Sequence, residues 1–143
     1  MRRTVSLCVW VLLVAGCTDP GSLADGGGPE FPATALLTLA GDTGALSVAV
    51  RTSPQPPIRG VNQIQLTVTA ADGGAPVDGL TVTVDPWMPI MGHGSATTPT
   101  VTPQGSGVYD VTDVYMAMPG TWELRTSFSG PATDNVTAQF QIP

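Results

Sequence analysis

The sequence has no lysine, a single histidine and two cysteines in 143 residues. With five arginines against eleven acids, the formal net charge is −6. Two of those arginines, Arg2 and Arg3, sit at the extreme N-terminus, and without that end the rest of the chain carries −8. Nucleic-acid binding needs clustered Lys and Arg against phosphate, so this charge balance excludes it. Scarce nucleophiles and bases argue against an enzyme. A blue-copper carrier needs two His and one Cys, and a catalytic zinc site needs three protein ligands; His93 stands alone. Ser95 lies two residues from His93, but no Gly-x-Ser-x-Gly elbow surrounds it. Asp110 and Asp113 are an odd number of residues apart, which on a regular strand places them on opposite faces as solvated charge. Long apolar runs are missing too: no segment of 18 or more residues is fit to span a bilayer.

What is present is glycine, proline and short apolar runs. Gly 17 and Pro 14, with 42% apolar and only 11% charged residues, describe a small turn-rich β-domain. The first residues read as an address. Met1-Arg2-Arg3-Thr4 is a basic head, and Val5–Ala15 is an apolar stretch of eleven residues. As a helix it would rise only about 16 Å, half a hydrocarbon core, so it is a signal segment and not a span. It ends in Val14-Ala15-Gly16-Cys17, small residues before a cysteine, which resembles the bacterial lipobox. On that reading residues 1–16 are a lipoprotein signal peptide and Cys17 carries lipid. Cys8 leaves with the signal, so the mature domain has no cysteine for a disulfide, a thiolate metal site or a nucleophile. Residues 17–33, rich in Gly, Pro and Asp and without periodicity, form a flexible linker. The protein is then expected in the bacterial cell envelope, held to a membrane and facing the periplasm or the exterior.

From residue 34 to 143 the pattern becomes that of strands. Ala45–Arg51, Asn62–Ala70 and Gly79–Val84 alternate apolar and polar residues with period two, and Val108–Val114, Thr121–Phe128 and Val136–Ile142 continue it. Leu36–Leu39 adds a first strand. Turn signals such as Ala71-Asp72-Gly73-Gly74 and Asp78-Gly79 separate the runs. Six to seven strands without helical periodicity predict an all-β, antiparallel immunoglobulin-like sandwich. Gly107-Val108-Tyr109 has the form of a tyrosine corner, with Trp122 and Phe128 as core aromatics.

The residues able to do chemistry crowd into 31 positions. Apart from Met1, every methionine lies there (Met88, Met91, Met116, Met118), together with His93. Thioethers are soft neutral ligands and imidazole a borderline one, a donor set suited to Cu(I) rather than to Mg(II), Ca(II) or Zn(II). Two apart, Met116 and Met118 would share one face of a strand. The segment after Val84, broken by Pro86, Pro89, Gly92 and Gly94, reads as an irregular loop able to fold over that face. Trp87 beside it would shield a metal. The same residues also fit packing, because methionine fills irregular core gaps and Pro/Gly segments shape crossovers.

Pro86-Trp87-Met88-Pro89-Ile90-Met91-Gly92-His93-Gly94, followed by Pro99, Gly107-Val108-Tyr109, Met116 and Gly120-Thr121-Trp122, resembles the YtkA-like domain. Gly60-Val61-Asn62 and Gly74-Ala75-Pro76-Val77 fit the same pattern, so the resemblance spans about residues 44–130. It implies a small extracytoplasmic β-sandwich of the kind found in bacterial lipoproteins, related to the FixH-like group and its association with copper supply. Met88, Met91, His93 and Met116 are the matching positions; Met118 is added from strand spacing. Two functions remain open. One is a non-enzymatic Cu(I)-handling lipoprotein serving a copper protein. The other is an adaptor that docks an envelope protein through Trp87 and the exposed methionines, without metal.

Overall fold

The computed structural model describes residues 28–143. The signal segment 1–16, Cys17 and the linker as far as residue 27 lie outside the described residues. Nine strands follow in order: β1 (Leu37–Ala40), β2 (Leu46–Ser53), β3 (Gly60–Ala70), β4 (Thr81–Met88), β5 (His93–Gly94), β6 (Thr100–Gly105), β7 (Val108–Met116), β8 (Gly120–Ser129) and β9 (Asp134–Ile142). They form two antiparallel sheets, a five-stranded one ordered β1-β2-β3-β7-β6 and a four-stranded one ordered β5-β4-β8-β9. The architecture is the expected all-β sandwich. The seven expected strands are present, and β5 and β6 are two short edge strands added to them.

Alternation along each strand builds the core. Val48 and Val50 of β2 pair in register with Val68 and Leu66 of β3, with Leu46 and Ile64 beside them, and all six are buried. From the other sheet Trp122, Leu124 and Phe128 of β8 and Val136, Ala138, Phe140 and Ile142 of β9 close over them. Every one of these inward residues occurs at a spacing of two, which is why the pattern was legible. The alternation in β7 is reset by one bulge. Asp113 takes a left-handed φ of 61°, and the pairing with β3 slips between Asn62 and Ile64. Tyr109 and Val111 point inward before it, Val114 and Met116 after it. Asp110 and Asp113 therefore both lie off the core, against the opposite faces a regular strand would give. Asp110 accepts a hydrogen bond from the Gln65 amide at 3.0 Å.

Two side chains tie distant turns together. The Tyr109 hydroxyl donates to the Val77 carbonyl (2.9 Å) and accepts from the Leu80 N–H (3.2 Å), locking the β3–β4 connection onto β7. The buried Asp134 carboxylate accepts backbone N–H bonds from Thr43 (2.8 Å), Ala45 (3.0 Å), Leu46 (3.0 Å) and Asn135 (2.9 Å). Burial raises its pKa, but the N–H groups of Thr43, Leu46 and Asn135 outweigh that and hold the carboxyl below its ordinary value. A Cβ at Gly41 would collide with this carboxylate, so the turn before β2 has room only for glycine.

Candidate functional site

Strand β4 carries the first candidate residue. Val84, Pro86 and Met88 point inward, while Asp85 and Trp87 point outward. Pro86 is tolerated because its backbone faces the sheet edge, where its carbonyl accepts the Ser95 N–H at 2.8 Å and no N–H is needed from it. The stretch after Val84 is thus a continued strand as far as Met88, in place of the irregular loop read from its prolines. Pro89 then ends the ladder. The N–H groups of Met91 and Gly92 both donate to the Met88 carbonyl (3.1 and 3.0 Å), and Gly92 adopts φ 67° to turn the chain back. The returning β5 places His93 opposite Met88 and Gly94 opposite Trp87.

That hairpin carries three of the five candidate ligands. Residues directly opposite in an antiparallel pair project to the same face. Met88 is buried (4% exposed), Met91 is exposed (53%) and His93 is exposed at the sheet edge. The His93 Nδ1 lies 3.0 Å from the Gly94 carbonyl oxygen. A carbonyl only accepts, so Nδ1 carries the proton in this contact. In the neutral ring that leaves the Nε2 lone pair available to a ligand.

The other two candidates come from the link between the sheets. Met116 is the last residue of β7, faces inward and is fully buried opposite Gly60. Met118 lies beyond the strand end, so the shared strand face predicted for the pair does not form. It is half-buried in the Ala117–Pro119 connection, packs against the core, and its carbonyl accepts the Trp122 indole N–H at 2.9 Å. The Met88 methyl rests against Gly120, where an added Cβ would come within 2.8 Å of it. Met88 therefore reaches the chain just after Met118, and all five candidates sit at one end of the sandwich. Trp87 faces away from Met88, half-buried under the Arg125 guanidinium, whose centre lies 4.7 Å from the ring centroid. Arg125 is held there by an ion pair to Glu123 at 2.7 Å.

Among the described residues no three His, Cys, Asp or Glu side chains converge as a metal site. A metal at this end would rest on thioether sulfur and the single imidazole, a donor set whose softness fits Cu(I). The pattern reading missed Ile90, at the exposed tip of the β4–β5 turn, and Val61 and Tyr115, which pair on the outer face of β3 and β7. Val61 had a signal in parity, an odd-numbered apolar residue in a run whose core residues are even-numbered, whereas Tyr115 faces outward only because the bulge at Asp113 resets the alternation of β7.

The fold has solved counterparts. A copper-bound variant of FetP from uropathogenic Escherichia coli strain F11 superposes with a TM-score of 0.52 at 11% identity, covering 73% of this chain and 93% of that one. The as-isolated FetP of the same strain, expressed in the Escherichia coli periplasm, gives 0.52 at 10% identity, covering 75% and 93%. These likenesses are of fold. A comparison with curated proteins found no match. The YtkA-like family profile matches residues 43–127, more than half of the chain and all of the Met/His segment, and the chain belongs to the YtkA-like family.

Proposed function

We propose that this protein is a non-enzymatic Cu(I)-binding accessory protein of the bacterial cell envelope, tethered to a membrane through Cys17. The observation that carries the reading is the β4–β5 hairpin. It sets His93 opposite Met88 with Met91 in the intervening turn, and it leaves the His93 Nε2 free. Met116, or Met118 in the adjoining connection, would complete the donor set from the facing sheet. Bound there, Cu(I) would be held by neutral ligands and so remain exchangeable for delivery or sequestration. The copper-bound FetP structure and the periplasmic expression of its as-isolated form support the metal and an extracytoplasmic location.

The second reading, an adaptor that docks an envelope protein through the Trp87–Gly94 loop without metal, draws on the exposure of Ile90 and Met91. A Cu(I) competition titration against a chromogenic chelator, under reducing conditions on residues 28–143, separates the two. One equivalent bound, and lost in a Met88→Leu, Met91→Ala, His93→Ala variant that still folds by circular dichroism, supports copper handling. No competition from the folded domain overturns it.

A further inference from the structure

Five large apolar side chains stand exposed on this domain: Ile58 (47%), Val61 (56%), Ile90 (83%), Met91 (53%) and Tyr115 (37%). The strand pairing puts all five at one end. Gly60 at the start of β3 lies opposite Met116 at the end of β7, so Ile58, Val61 and Tyr115 share that end of the five-stranded sheet. The short Ala117–Pro119 connection crosses from there to Gly120, where β8 begins and against which Met88 packs. The turn bearing Ile90 and Met91 follows Met88 directly. The three loops here, residues 54–59, 89–92 and 117–119, contain no acid and one arginine, Arg59.

The opposite end is acidic. Asp42 lies in the β1–β2 turn, and Asp72 and Asp78 lie in the β3–β4 connection, all exposed. The chain enters the domain at the apolar end. β1 begins at Leu37 opposite Val50, near the end of β2, and Leu36 donates its N–H to the Val50 carbonyl at 2.8 Å. The chain that leads from Cys17 into β1 therefore reaches the sandwich at this end.

We propose that this apolar end rests on the lipid bilayer to which the chain is tethered. The proposal depends on the membrane tether of the preceding section but not on copper. Three features select a bilayer over a protein pocket. The tether enters beside the apolar loops, so the surface that holds it is the nearest one they meet. Exposed Asp42, Asp72 and Asp78 are turned away, which an anionic leaflet favours. Ile90 projects from a turn tip, flanked by Pro89 and Met91, a convex apolar point that suits insertion among lipid tails rather than a match to a preformed cavity. The end is also held in shape: Arg59 Nε donates to the Ala117 carbonyl at 2.8 Å, and Asn62 accepts the Ile58 N–H at 2.9 Å and donates to the Ile58 carbonyl at 2.7 Å.

Residues 28–143 contain the whole described core and no cysteine, so single cysteines can be introduced for labelling. Ile90→Cys and Asp72→Cys domains carrying an environment-sensitive fluorophore are tethered by an N-terminal polyhistidine tail to nickel-chelating lipid in phosphatidylethanolamine/phosphatidylglycerol vesicles. Lipids brominated along the acyl chain serve as quenchers. The label at 90 should shift blue and be quenched, and the label at 72 should not. Quenching at neither position, or equally at both, overturns the proposal, and a label at 90 that neither shifts nor is quenched leaves the apolar end to a protein partner. An Ile58→Asp, Met91→Asp background should reduce quenching at 90 by at least about tenfold in the bound fraction. Whether full-length Cys17→Ser leaves the membrane fraction tests the anchor separately, and the tethered experiment decides the docking either way.

Discussion

Met88 and His93 are register partners across the β4–β5 ladder, one sealed in the core and the other open to solvent. The two positions therefore separate packing from ligation. His93→Ala should weaken Cu(I) binding by at least about tenfold while leaving the melting temperature of the metal-free domain nearly unchanged, because an exposed side chain contributes little to stability. Met88→Leu should also abolish binding at a stability cost under about 1.5 kcal/mol, since volume is kept. Met88→Ala should cost about 2–5 kcal/mol by leaving a cavity. Parallel chelator titration and thermal melting check all three. A Met88→Leu domain that binds Cu(I) as the parent does would make Met88 a packing residue.

Asp134 gives the fold a defined response to acid. Its folded pKa lies below the unfolded value of 3.8, so its stabilisation is complete above that value and is lost as pH falls through the lower folded one. Melting temperatures should thus drop as pH falls below about 4, and Asp134→Asn should flatten that part of the profile. At neutral pH the same variant turns an amide donor toward one pair of N–H groups, those of Ala45 and Leu46 or those of Thr43 and Asn135, at a cost of about 2 kcal/mol or more. Gly41→Ala should act at the same point by driving a methyl into the carboxylate. A profile with the same acid slope in parent and Asp134→Asn would refute this assignment.

The strands with buried faces were legible and the exceptions were not, for physical reasons. Period two shows only where one face is buried, so β2, β3, β8 and β9 stand out in the sequence. Edge strand β6, Thr-Val-Thr-Pro-Gln-Gly, buries no residue fully and contains Pro103, so nothing in it alternates. Pro86 read as a strand breaker, yet a strand beside an edge has backbone positions that need no N–H. The bulge at Asp113 is a backbone event with no side-chain signature, and it moved the face on which an acid sits. The Met/His cluster could be read as a cluster because it is compact in sequence. Which of its members are buried, and that Met118 falls beyond the end of β7, depended on where the strand stops. The bonds made by Asp134 join residues about ninety positions apart, and local pattern carries no trace of them.

Tyr109 couples β7 to the β3–β4 connection through both functions of one hydroxyl. Tyr109→Phe keeps the buried ring and removes only those bonds, leaving the Leu80 N–H and the Val77 carbonyl without this partner. A loss of about 1–2 kcal/mol in chemical denaturation is expected, with an unchanged m-value. The connection should loosen first, read as faster amide exchange at Leu80 than at Leu66 in the adjoining β3. Equal protection at Leu80 in parent and variant would show that packing alone holds the corner.

Asn62 performs the equivalent task at the apolar end. It is fully buried, accepts from the Ile58 N–H, and donates to the carbonyls of Ile58 (2.7 Å) and Gly60 (3.1 Å). A buried amide with its groups met in this way stabilises the loop before β3 and holds Ile58 outward. Asn62→Ala leaves those backbone groups unpaired and should cost about 1–3 kcal/mol. Because Val61 and Tyr115 are fixed by the ladder itself, the variant should free Ile58 selectively. Amide exchange should therefore rise steeply at Ile58 and little at Tyr115, and an equal rise at both would mean that the whole end of the sandwich had opened.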